Sequence, residues 1–201
     1  MRKTLINQAI ENSPFPDLNF LDLEHLSQVE FTSECQEHPV ESALLLTEDS
    51  RQAFLPDAFQ VNANLIQTDL SRQAFLADSL RVNANLFQTD LSGTGWQAAS
   101  PGEQTIRIVF DQPRTIEHIV LMFDESQQSR TQEFVLLWLA DNEDGYREIL
   151  RQQYHFSPPN TTREIEHYEV KLNQLKALEL RITPDIGGGE ACAKLKQLRL
   201  A

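Results

Sequence analysis

Period-two alternation dominates the second half of the chain. In Thr105–Asp111, Ile106, Ile108 and Phe110 fall on one side while Thr105, Arg107 and Asp111 fall on the other. In Ala177–Thr183, Leu178, Leu180 and Ile182 alternate with Glu179 and Arg181. Alternation of this kind marks a half-buried β-strand. His118–Phe123 and Glu133–Ala140 are apolar at almost every position, as in strands covered on both faces. Turn chemistry separates these runs: Ser100-Pro101-Gly102, Asp111-Gln112-Pro113, Asp144-Gly145, Ser157-Pro158-Pro159-Asn160 and Pro184 through Gly189. The pattern predicts strands over 28–33, 105–111, 115–123, 132–140, 146–156, 163–171, 175–183 and 193–200. Leu195, Leu198 and Leu200 break strict alternation, which predicts a bulge in the last strand. About eight short strands with almost no helix give an all-β fold class, an antiparallel jelly-roll β-sandwich.

The first half of the chain is organised differently. Residues 1–27 read as an N-terminal extension in which 2–12 form a short amphipathic helix, with Leu5, Ile6, Ala9 and Ile10 on one face and Pro14 and Pro16 ending it. Residues 28–201 read as the sandwich, interrupted by an insert over 46–92. That insert contains a tandem duplication: Ser50–Leu70 is followed at once by Ser71–Leu91, 21 residues each and matching at 16 positions. Its apolar centres recur every five or six residues, similar to a pentapeptide-repeat pattern. The six-residue step breaks that register once per copy, and two coils are too few to bury a core. The plainer reading is a duplicated loop or flap.

Charge narrows the partners. The 201-residue chain has 17 basic and 30 acidic residues, a net charge of −13, and a theoretical pI near 4.7. No basic stripe relieves this field, so nucleic acid is not an expected partner. No stretch reaches the roughly 20 apolar residues that span a bilayer, and the N-terminus has no apolar core of a secretory signal. A cytoplasmic location without membrane association is therefore expected. That compartment favours free thiols at Cys35 and Cys192, although a bridge between the first and last strands of a sandwich is a second reading.

Catalytic constellations are not found in this sequence. The five histidines, His25, His38, His118, His155 and His167, have no local His or Cys partner at metal-ligand spacing. Gly187-Gly188-Gly189 has no phosphate-loop frame around it. A non-enzyme is expected, binding at the loops that join its sheets. Sugar recognition needs an aromatic face and planar polar groups for hydroxyls. Two local clusters supply them: Tyr154-His155-Phe156 with Arg151 and Arg163, and Gln127, Gln128, Arg130 and Gln132. Trp96, Trp138 and Phe156 read as core residues.

Val29–Leu45, followed by GWQAASPGEQTIRIVFDQPRTIEHIVLMF, resembles the discoidin, or coagulation-factor type C, group of galactose-binding-like sandwiches. The matching pieces are Pro39–Ala43, the acidic pair Glu48-Asp49, Trp96, Pro101-Gly102, and Phe134–Trp138 with Asp144-Gly145-Tyr146. The resemblance covers roughly 28–47 and 93–201 and is closest to small bacterial carbohydrate-binding-like proteins. It implies a jelly roll and a non-catalytic binding module for a carbohydrate or a protein surface. From the two local clusters above, Arg130, Gln132, Tyr154, His155 and Arg163 are the expected ligand-binding set. The family's frequent calcium site maps onto Glu48, Asp49 and Asp90, although a clear Asp-Gly-Asp loop is lacking. The competing expectation is a structural or interaction protein that docks on a partner, or forms a homo-oligomer, through the sandwich or the duplicated insert.

Overall fold

The computed structural model describes residues 2–4, 18–45 and 95–201. The described residues form nine strands and one short helix: β1 (Arg2–Thr4), β2 (Ser27–Phe31), α1 (Glu41–Leu44), β3 (Trp96–Pro101), β4 (Gln104–Asp124), β5 (Arg130–Ala140), β6 (Arg147–Phe156), β7 (Arg163–Thr183), β8 (Cys192–Leu195) and β9 (Gln197–Leu200). Every pairing between them is antiparallel. The expected all-β jelly-roll class is the class observed.

Two strands are much longer than their sequence patterns suggested. The predicted segments 105–111 and 115–123 are one strand, β4, and 163–171 and 175–183 are one strand, β7. They pair along their whole length, Gln104–Val109 against Ala177–Ile182 and His118–Asp124 against Glu169–Arg163, with register shifts between Val109 and His118. The shifts fall around Pro113, which has no N–H to give a ladder, and around Gln174, a non-glycine at φ 56°. Such irregularities bend a strand. Each long strand therefore passes from one layer into the other.

The front layer runs β1–β2–β4–β7–β5–β6, using the first half of β4 and the second half of β7. The back layer is the first half of β7, the second half of β4, and β9. Between the layers lies the core, where the Phe123 and Phe134 rings meet at 5.1 Å. The alternation read from sequence is the alternation found: Ile106, Ile108 and Phe110 are buried, as are Leu178, Leu180 and Ile182. Outward-facing Val120 and Met122 are buried too, because Phe20 packs over them. Trp96 and Phe156 are core residues as expected, and Trp138 packs half-buried against the core.

The predicted last strand divides at Lys196. Its first part, β8, pairs with β3, and its second part, β9, pairs with β4. The expected bulge is thus a full change of partner. At this crossing Gly95 has φ +118°, and a Cβ there would lie 2.8 Å from the Leu195 carbonyl oxygen, so only glycine fits.

The helix predicted over 2–12 is corrected in its first turn: Arg2–Thr4 is a strand that pairs with Gln28–Glu30. A chain placed along the free edge of β2 gains ladder hydrogen bonds that a marginal ten-residue helix lacks. Residues 5–12 and the duplicated insert lie outside the described residues. Cys35 and Cys192 are free. Both lie beside β3 but at different heights: Cys35 N–H donates to the Gln97 carbonyl, and Cys192 pairs with Pro101. Four strand residues span about 13 Å, beyond the roughly 7 Å Cα separation a disulfide tolerates.

Candidate functional site

β6 and the first half of β7 are the outermost strands of their layers on one flank, joined by the turn at 157–162. Their inward side chains meet across the sandwich, where the apolar core thins out. Alternation sends Leu150, Gln152, Tyr154 and Phe156 inward from β6, and Glu164, Glu166, Tyr168 and Val170 inward from β7. Arg151, Gln153 and His155, with Arg163, Ile165 and His167, are the exposed alternates.

The inward residues form a half-buried polar seam. Tyr168 Oη donates to Gln152 Oε1 at 2.6 Å, and Gln152 Nε2 donates to Glu166 Oε1. Tyr154 Oη donates to the Arg163 carbonyl at 3.4 Å, and its ring stands edge-on to Phe156 at 4.9 Å. Burial, the hydrogen bond to Glu166 and the charge of Glu166 push the Glu164 carboxyl up to about 8. It therefore carries a proton at neutral pH. Burial, followed by the nearby carboxylates, raises both tyrosines above their ordinary values. The seam thus presents two phenol hydroxyls, an amide, one carboxylate and one neutral carboxyl within a few side chains of each other.

Below the seam, one end of the sandwich is held by a buried ion cluster. Glu125 accepts from Gln127 N–H at 2.8 Å, Arg130 Nε at 3.0 Å and Lys194 Nζ at 3.3 Å. Burial opposes its ionisation, but the Gln127 N–H, Lys194 and Arg130 outweigh burial and hold it below the usual carboxylate range. Arg130 also donates to the Pro184 carbonyl and lies over the Phe156 ring at 5.6 Å. Next to it on β5 is Gln132, paired in register with Tyr154 and only 1 % exposed. Neither its Nε2 nor its Oε1 has a hydrogen-bond partner among the described residues. A buried amide with no partner is rare in folded proteins. It faces the same interior as the seam.

The five residues expected to bind ligand do not converge on one surface. Register places Arg130, Gln132 and Tyr154 on a common inward face. Arg130, however, is 3 % exposed and fully engaged, so its guanidinium holds the loops rather than meeting solvent. The pleat divides the Tyr154-His155-Phe156 cluster: His155 points outward, where its Nδ1 meets Thr131 Oγ1 at 2.9 Å. Arg163 is also outward and is tied to Asp124 at 2.8 Å. Gln127 and Gln128 are exposed and give only backbone N–H groups to Glu125. Glu48, Asp49 and Asp90 lie outside the described residues. Gln152, Glu164, Glu166 and Tyr168 were missed by sequence reasoning. Period two does place Glu164, Glu166 and Tyr168 on one face of Arg163–Val170, but not which face turns inward.

No family model matches the chain, and no curated protein matches it in sequence. Solved structures are similar to it in structure rather than in sequence. A family 32 carbohydrate-binding module of C. perfringens NanJ in complex with galactose is 11 % identical, with 90 % of this chain and 96 % of that chain covered and a TM-score of 0.48. A module from Clostridium perfringens in complex with GalNAc-β-1,3-galactose is 13 % identical over 53 % of this chain and 74 % of that chain, with a TM-score of 0.39. An allantoicase is 12 % identical over 54 % of this chain and 32 % of that chain, with a TM-score of 0.38.

Proposed function

We propose that the protein is a non-catalytic carbohydrate-binding module that takes a neutral or amine-bearing saccharide in the seam between β6 and β7. The observation that carries this reading is the grouping of Gln152, Tyr154, Glu164, Glu166 and Tyr168, half-buried, beside the unpartnered amide of Gln132. Sugar hydroxyls both donate and accept, and each needs a planar or charged partner of the opposite kind. Glu166 and the Gln152 oxygen accept; the tyrosine hydroxyls and protonated Glu164, whose protons rest on protein acceptors in the free chain, exchange those acceptors for sugar hydroxyls. The ring faces of Tyr154 and Tyr168 supply the apolar contact for sugar C–H groups. The seam contains two acidic side chains and no basic one, so it disfavours uronic and sialic acids and favours neutral sugars and hexosamines.

An array of neutral, amino and acidic glycans, probed with the full chain and with Gln152→Ala and Tyr154→Ala, tests the reading. Binding to neutral or amino glycans that falls at least about tenfold in both variants supports it, each lost polar or aromatic contact then being worth roughly 1.4 kcal/mol or more. A blank array, or binding indifferent to both substitutions, overturns it. If the array is blank and light scattering finds a stable dimer, self-association takes its place.

A further inference from the structure

The segment leading into β2 is fixed at several points. Leu21 N–H donates to the Leu200 carbonyl at 2.7 Å, Leu23 enters the core, and Ser27 Oγ donates to the Leu23 carbonyl at 2.8 Å. These anchors place Asp22, Glu24 and His25 together, with one potential ligand atom from each lying within 4.8 Å of the other two. Two carboxylates and an imidazole in a turn are not a site by themselves. The deciding observation is Glu24, which is 3 % exposed. One of its oxygens, Oε1, lies 3.6 Å from His25 Nε2, beyond hydrogen-bond range, and the other, Oε2, is buried with no partner among the described residues. A carboxylate oxygen withdrawn from water without a donor is strongly disfavoured, and a bound cation is one of the two ways, with protonation, to satisfy it.

We propose that Asp22, Glu24 and His25 form a binding site for a divalent transition-metal ion of the zinc class. The donor set decides the class. Calcium and magnesium are held by oxygen ligands, whereas an imidazole nitrogen beside carboxylates suits zinc and its neighbours. Among these, copper(II) outranks zinc in affinity for a nitrogen–oxygen site and zinc outranks manganese and iron(II); zinc is the probe chosen because it is redox-inert and takes a tetrahedral site. Zinc bonds of about 2.0–2.2 Å in a tetrahedral site put ligand atoms about 3.4 Å apart, so the 4.8 Å cluster closes by rotation of the side chains. The His25 side chain is 72 % exposed, which gives the ion a path from solvent and the mobility for that closure. Three protein ligands leave a fourth position for water. Its residues are not those of the calcium site expected from the sequence, Glu48, Asp49 and Asp90, and it does not depend on the carbohydrate reading.

The test is a zinc titration of the chelator-stripped full chain in competition with a chromophoric chelator, repeated with calcium. Wild type and the His25→Ala, Glu24→Gln and Asp22→Asn variants are compared. One zinc per chain is expected, with affinity falling at least about tenfold in each variant, and no calcium binding in the same concentration range. His25→Ala alters an exposed side chain, so it keeps the experiment decisive even if Glu24→Gln fails to fold. Three results each overturn the proposal: no zinc binding by wild type at millimolar metal, zinc affinity unchanged in His25→Ala, or calcium bound as tightly as zinc.

Discussion

Replacing Glu164 by Gln removes the one carboxyl of the seam whose proton is held to about pH 8. Gln keeps the shape and can still donate to Glu166, so little changes at acidic pH. In wild type the unfolded chain releases this proton near 4.5, whereas the native state keeps it to about 8. Between those values the native state binds more protons than the unfolded state, so native stability falls as pH rises through the window. Taken at face value, a rise of about 3.5 corresponds to a ceiling of about 4.8 kcal/mol. Glu164 is only half-buried, and solvent screening reduces this to roughly 1–2 kcal/mol. Urea denaturation followed by circular dichroism at pH 5, 7 and 9 gives the stability of both proteins. The variant should match wild type at pH 5 and exceed it by roughly 1–2 kcal/mol at pH 9. Parallel curves, with the same difference at all three pH values, would refute the carboxyl–carboxylate contact itself.

Other perturbations follow from the same structure. Gln132→Leu removes a buried amide that has no protein partner, so it should raise stability by about 1 kcal/mol while weakening saccharide binding; a loss of stability in thermal unfolding would contradict the orphaned amide. Gly95→Ala places a Cβ against the Leu195 carbonyl at positive φ and should cost about 1–3 kcal/mol in denaturant midpoint measurements. Arg130→Met leaves Glu125 buried without its closest guanidinium and should cost about 3–5 kcal/mol, with much of that recovered in the Arg130→Met, Glu125→Leu double variant. Phe134→Ala, beneath Phe123, should cost about 3–5 kcal/mol by the same assay.

The fold was legible where alternation is clean. Ile106, Ile108 and Phe110 declare their strand and its buried face without help from the rest of the chain. The continuity of β4 across Pro113 was not legible, because proline ordinarily ends a strand and is tolerated here only where the ladder shifts register. The short β3, Trp96–Pro101, is not among the strands the pattern predicts; its partner β8 lies almost a hundred residues away, and local pattern does not record that pairing. The division of β8 from β9 at Lys196 has the same origin. The seam shows a sharper limit. Arg163–Val170 is polar on both faces, so alternation could not say that Glu164, Glu166 and Tyr168 turn inward. That choice is made by β6 standing opposite in the other layer. His155 is different: period two alone separates it from Tyr154, and grouping them as sequence neighbours ignored the pleat.

The carbohydrate reading rests on where a sugar would sit, and backbone amide chemical-shift mapping measures that directly. Isotope-labelled protein is titrated with neutral hexose and hexosamine oligosaccharides. Saturable shifts confined to Gln152–Phe156, Glu164–Tyr168 and the Gln132 side-chain amide, absent with an acidic oligosaccharide, are the predicted result. Shifts confined to the loop at 184–190, or no saturable shift with any neutral or amino sugar, would contradict the account.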